Sequence, residues 1–155
     1  MKRTASLFTI LFSSLVFATV ALAAHEHAGN GVATNETTEK EIHMAMVDGH
    51  HLTYRLIDMH AKMAGLKSGK YDLSKIKSHH LMLFVHAPDG TLLSSGTVGF
   101  LVTGPDGSTQ QVMTMAMSGG YGGDVDLKQK GTYAVKAKAI AGAKTLRDQF
   151  TFEIQ

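Results

Sequence analysis

Residues 78–88 read Ser-His-His-Leu-Met-Leu-Phe-Val-His-Ala-Pro, and this stretch constrains the chain more than any other. Strand side chains alternate between two faces, so an extended conformation puts Leu81, Leu83 and Val85 on one side and His80, Met82, Phe84 and His86 on the other. The first set is a core face. The second carries two imidazoles and a thioether, donors suited to a soft or borderline metal. Met113, Met115 and Met117 repeat the two-residue spacing, and His43, Met44 and Met46 fall close together.

The rest of the chain has the punctuation of an all-β fold. Glu41 to Val47 and His51 to Met59 are strand candidates separated by the turn pair Asp48-Gly49. Within the second, Leu52, Tyr54 and Leu56 alternate with Thr53, Arg55 and Ile57. Residues 59–77 carry five lysines and no sustained periodicity, with a short helical turn expected near Leu73 to Lys77. This long connection is bracketed by Met59, His60 and Met63 before it and by His79 and His80 after it. Pro88-Asp89-Gly90 and Gly104-Pro105-Asp106-Gly107 are turns in which proline presets one corner and glycine closes it.

Further strands are expected at Val98 to Thr103, Gln110 to Met117, Asp124 to Leu127, Thr132 to Ile140 and Leu146 to Ile154. The glycine cluster Gly119-Gly120-Tyr121-Gly122-Gly123 lacks a nucleotide-loop spacing and a following helix, and reads as a hairpin needing close backbone approach. Strands every eight to twelve residues between Gly and Pro turns predict an immunoglobulin-like antiparallel β-sandwich of seven to eight strands over residues 41–155.

The amino terminus has the pattern of an export signal. Lys2 and Arg3 precede an apolar run from Leu7 to Leu22 and a small-x-small site at Ala21-Leu22-Ala23, which predicts a cleaved signal peptide over residues 1–23 and an exported protein without stable membrane insertion. A polar leader, 24–40, follows. It carries His25 and His27, and cleavage after Ala23 would put His25 at the second position, cleavage after Ala24 His27 at the third; either arrangement offers Cu(II) an amine, backbone nitrogens and an imidazole.

About 130 residues then remain, enough for one core. Lys2 and Arg3 leave with the signal, so 13 basic residues face 13 acidic ones, and a neutral chain gives no footing for a nucleic-acid partner. With no cysteine, thiolate zinc, iron-sulfur and type 1 copper sites are excluded. Hydrolase elbows, phosphate loops and His-Glu-x-x-His helices are also missing, and no enzyme activity is expected.

Eight methionines beyond the initiator and nine histidines remain as chemistry. The candidate ligands are His79, His80, Met82, Met59, Met63, Met113, Met115 and Met117. Thioether sulfur favours Cu(I), so copper, as Cu(I) rather than Cu(II), is the expected ion and zinc held by three histidines its rival. His50, His51 and His86 read as solvated hairpin and turn residues, and the methionines at 113, 115 and 117 read equally well as core filler.

The combination Ser78-His79-His80-Leu81-Met82, Gly104-Pro105-Asp106-Gly107, Met115-x-Met117, Gly120-Tyr121-Gly122-Gly123-Asp124-Val125-Asp126-Leu127, Lys130-Gly131-Thr132-Tyr133 and Phe150-x-Phe152-Glu153 resembles the small exported YtkA-like domains, themselves similar to CopC-like copper-resistance proteins. The resemblance spans Ile42 to Ile154. It implies an immunoglobulin-like sandwich in the bacterial periplasm or cell envelope, linked to metal handling, most often copper, and a copper-transfer partner protein in the envelope is expected with it. The expected function is that of a copper metallochaperone or buffer. A non-catalytic structural or interaction module without a metal is the alternative, and a copper redox enzyme using the amino-terminal histidine a third reading.

Overall fold

The structure is a computed structural model and describes residues 38–64 and 72–155. The expected signal peptide and the leader up to residue 37 lie outside the described residues, as does the stretch 65–71. Nine strands form two sheets, β1 (Glu39–Val47), β2 (His50–Asp58), β3 (His79–His86), β4 (Thr97–Thr103), β5 (Thr109–Met113), β6 (Met115–Met117), β7 (Gly120–Val125), β8 (Gly131–Ala141) and β9 (Lys144–Ile154). One sheet has the order β1-β2-β3-β7-β6 and the other β5-β4-β8-β9, all pairings antiparallel. A short helix, α1 (Met59–Ala64), continues β2, and a single 3-10 turn at Leu73–Lys75 precedes β3. Among the described residues no helix is long and apolar enough to cross a membrane.

The alternating residues behave as their spacing requires. Leu52, Tyr54 and Leu56 from β2 and Leu81, Leu83 and Val85 from β3 face Val98, Phe100, Val102, Val135, Leu146 and Phe150 of the second sheet. Each buried aliphatic side chain there contributes roughly 1.5–3 kcal/mol relative to exposure. A bulge between Glu41 and His43 shifts the register of β1 by one residue. Ile42 therefore packs against the core as well, His43 lies opposite Tyr54, and Met44 and Met46 turn outward.

One expected strand divides. The alternation of Met113, Met115 and Met117 runs unbroken in the sequence, but the chain leaves one sheet at Met113 and enters the other at Met115, which takes the count past the expected seven to eight strands to nine. Thr114 makes the crossing, its backbone N–H and its hydroxyl both donating to the Val98 carbonyl at 3.3 and 2.9 Å. Gly123 lies against this corner, where a Cβ would stand 2.5 Å from Val112 Cγ1. The glycine cluster then forms the β6–β7 hairpin, turning through Ser118 and Gly119 with φ of 49° and 80°. Two consecutive positive φ values give the turn whose twist matches paired strands.

Candidate metal centre

The outward face of the five-stranded sheet carries the donors. In the register, Met82 of β3 lies opposite Gly122 of β7, and His80 opposite Asp124. Met115 of β6 lies opposite Gly122 from the other side. A glycine at the centre of this array leaves its space to its neighbours. A Cβ built on Gly122 would overlap both His80 Nε2 and Met82 Sδ and stand 3.0 Å from Met117 Sδ. One imidazole nitrogen and two thioether sulfurs thus converge on the volume that a side chain at residue 122 would fill.

His80 is held in an orientation that suits a ligand. Its Nδ1 donates to Asp124 Oδ1 at 2.6 Å, and its Nε2 stands 3.2 Å from Met117 Sδ. A carboxylate on one ring nitrogen fixes the tautomer and presents the lone pair of the other, the arrangement common to metal-binding histidines. Nitrogen and sulfur bound to one tetrahedral ion at about 2.0 and 2.3 Å lie roughly 3.5 Å apart, close to the separation found. The His80 ring is 12% exposed and Asp124 is 60% exposed, so the nitrogen is sheltered while its carboxylate partner stays in solvent. Met82 is buried at the base of the group, Met117 half-buried and Met115 exposed.

These donors open into a depression of about 430 Å³ whose walls include Met59, Met115, Phe84 and Ser118, with Glu39 and Lys62 on its walls as well. Of the expected ligands, His80, Met82 and Met117 therefore meet, and Met59 and Met115 border the same space. The others are placed elsewhere. Met113 ends β5 on the other sheet, 74% exposed, in a separate depression beside Lys136, Lys138 and Arg147, because the chain crosses between sheets after it. Met63 lies further along α1 and does not line the depression.

His79 is adjacent to His80 in sequence but on the opposite face of β3, the face of Leu81 and Leu83. Its Nδ1 bonds the Ser78 hydroxyl at 2.9 Å, and that oxygen also accepts the Leu127 N–H at 2.7 Å. Burial above all lowers its affinity for a proton below that of an ordinary imidazole, with Asp58 raising it, His60 lowering it and Asp126 raising it. His60 is turned to the Ile76 carbonyl at 3.1 Å. Both histidines are thus taken up in tying the ends of the long connection to the sandwich.

Asp124 and Gly122 were not expected site residues. Their sequence signal is the two-residue spacing Gly122-x-Asp124, which acquires meaning only once β7 is paired with β3 in this register. Among the described residues no group of three or more His, Asp and Glu is placed to hold a metal. Every candidate donor set among them therefore draws on methionine.

An antiparallel sandwich with thioether and imidazole donors on one outer face is the class that fold and site define. No family model matches the chain, and no curated protein matches it either. Solved structures do. FetP from uropathogenic Escherichia coli strain F11, recombinantly expressed in the periplasm of E. coli BL21(DE3), is similar with a TM-score of 0.55 at 17% identity, over 75% of this chain and 95% of that one. A copper-bound variant of FetP is similar at 0.50 and 16% identity over the same shares. A DUF4426 family protein of Pseudomonas aeruginosa PAO1 is similar at 0.54 and 11% identity, over 72% of this chain and 96% of that one. The fold is therefore FetP-like, and the likeness to YtkA-like and CopC-like domains rests on the sequence motifs.

Proposed function

We propose that this chain is a periplasmic copper-binding protein, a metallochaperone or buffer, that takes Cu(I) between His80 Nε2, Met82 Sδ and Met117 Sδ. The observation that carries the reading is the convergence of these three atoms over Gly122, where a side chain would exclude them. Two neutral thioethers and one imidazole are soft enough for Cu(I) and offer Zn(II) neither a thiolate nor a third histidine. Copper bound to a FetP variant is in keeping with this, since it shows copper carried by a chain of similar fold.

The mechanism is ligand exchange rather than turnover, and the copper is cargo. Asp124 holds the His80 ring in place, so the nitrogen donor costs little conformational freedom on binding. Met115 and Met59 at the border of the depression supply further sulfur along the way in or out. A partner in the envelope would replace the donors stepwise from the open side.

Competition with a Cu(I)-specific chromophoric chelator tests this. Gly122→Ala and His80→Ala should each weaken Cu(I) binding by more than about 100-fold, since each removes more than an orienting contact does. The alanine at residue 122 meets the tips of side chains, which can swing aside, so the fold should survive as judged by circular dichroism. Undetectable binding by the unaltered protein would leave a structural or interaction module. Full affinity in both variants would move the site to other donors.

A further inference from the structure

We propose a second soft-metal site on the same face, formed by Met46, His51 and His86 and independent of the first. The sequence reads His51 and His86 as hairpin and turn residues, solvated and idle. The register makes them direct neighbours: His51 of β2 is the partner of Met46 in β1 on one side and of His86 in β3 on the other. All three face outward, since the flanking residues Leu52 and Val85 are buried in the core and Ala45 packs against it. Beyond His86 the row is closed by Leu92, which bridges to it.

The spacing fits a shared ion. Directly opposed residues on antiparallel strands have Cβ atoms about 4.5–5.5 Å apart, and two imidazoles each about 2.0–2.1 Å from one metal need nitrogens only 3–4 Å apart. Met46, one strand over, reaches the same point through its three rotatable bonds. Among the described residues neither imidazole has a hydrogen bond, an ion pair or a ring contact, so the fold does not use them. The thioethers are equally unemployed: Met44 and Met46 are 65% and 66% exposed on an edge strand, where proteins ordinarily place charge. Two imidazoles and a thioether without a carboxylate in the row suit a monovalent soft ion, Cu(I) or Ag(I).

The two donor groups do not merge. His80 and His86 are six residues apart on β3, roughly 20 Å at strand rise. Between them stands Phe84 with the Arg55 guanidinium 5.3 Å from its ring centre, an apolar wall topped by a fixed positive charge.

Ag(I), redox-inert, is titrated into the chain from Ala24 onward carrying 13C-methyl methionine, and each methyl resonance is followed. The Met46 methyl should shift at stoichiometric Ag(I). In His51→Ala/His86→Ala, and equally in His51→Asn/His86→Asn, that response should weaken by at least about ten-fold, while Met82 and Met117 respond as before. A Met46 methyl that stays still in excess Ag(I), or that shifts equally in both double variants, overturns the site. Unresponsive Met82 and Met117 beside a responsive Met46 would break the Cu(I) reading at His80 and leave this one standing.

Discussion

Two histidine–aspartate pairs serve this sandwich in different ways. On the outer face, Asp124 takes the Nδ1 of His80 at 2.6 Å, and the free Nε2 looks at sulfur. Between the sheets, where β1 packs on β9, His43 turns its Nε2 to Asp148 Oδ2 at 3.2 Å and stacks on Phe150 with ring centres 4.2 Å apart. Tyr54 completes that second group, 4.6 Å from Phe150 and 5.5 Å from His43. A carboxylate that occupies one ring nitrogen and leaves the other facing soft donors makes a ligand; a ring pressed between aromatics across two sheets makes a clamp. Residue type alone does not separate the two uses. What the ring packs against does.

The largest effect should come from the clamp. Phe150→Ala removes the ring on which His43 and Tyr54 both rest, and should cost about 3–5 kcal/mol of unfolding free energy in urea titration. Cu(I) affinity of the folded fraction, read by chelator competition, should stay unchanged. Should copper binding collapse in protein that is still folded, the two regions are coupled and the contrast between them fails.

A smaller effect sharpens the other side. Asp124→Asn keeps the size of the residue but weakens its hold on His80, and Cu(I) affinity should fall about 10–100-fold. Stability should change by less than about 1 kcal/mol, because the carboxylate that is altered stands largely in solvent. Unaltered copper affinity would reduce His80–Asp124 to a surface contact with no part in orienting the ring.

The sequence carries the faces of the strands more clearly than their partners. Leu81, Leu83 and Val85 are legible as core because a period of two survives in any sheet, and His80 and Met82 are legible as its opposite face for the same reason. Met113, Met115 and Met117 share that period, yet Thr114 sends the chain from one sheet to the other between the first two. Periodicity records which way a side chain points relative to its neighbours, and a crossing that preserves the alternation leaves no trace in it. His79 shows the converse: its distance from His80 in sequence is the smallest possible, and parity puts them on opposite faces. Gly122 and Asp124, and the pairing of His51 with His86, depend on cross-strand register, which is set by contacts far apart in the chain.

The smallest effect separates the pairs by pH. Burial, then the charge of Asp148, raises the Tyr54 phenol well above its ordinary range. The folded chain therefore keeps a proton that the unfolded chain releases near pH 10, and this contribution is fully present below about pH 10 and lost as pH rises beyond it. Urea midpoints should fall between about pH 10 and pH 11, by an amount on the order of 1 kcal/mol. In Tyr54→Phe the decline should be shallower, with the part due to Tyr121, whose phenol burial also raises, still present. Asp124→Asn should retain the full decline, since the outer pair has no buried phenol beside it. An identical slope in Tyr54→Phe would mean that neither burial nor the charge of Asp148 holds the Tyr54 proton in the folded chain, and the decline would then belong to Tyr121 and the other groups that titrate there.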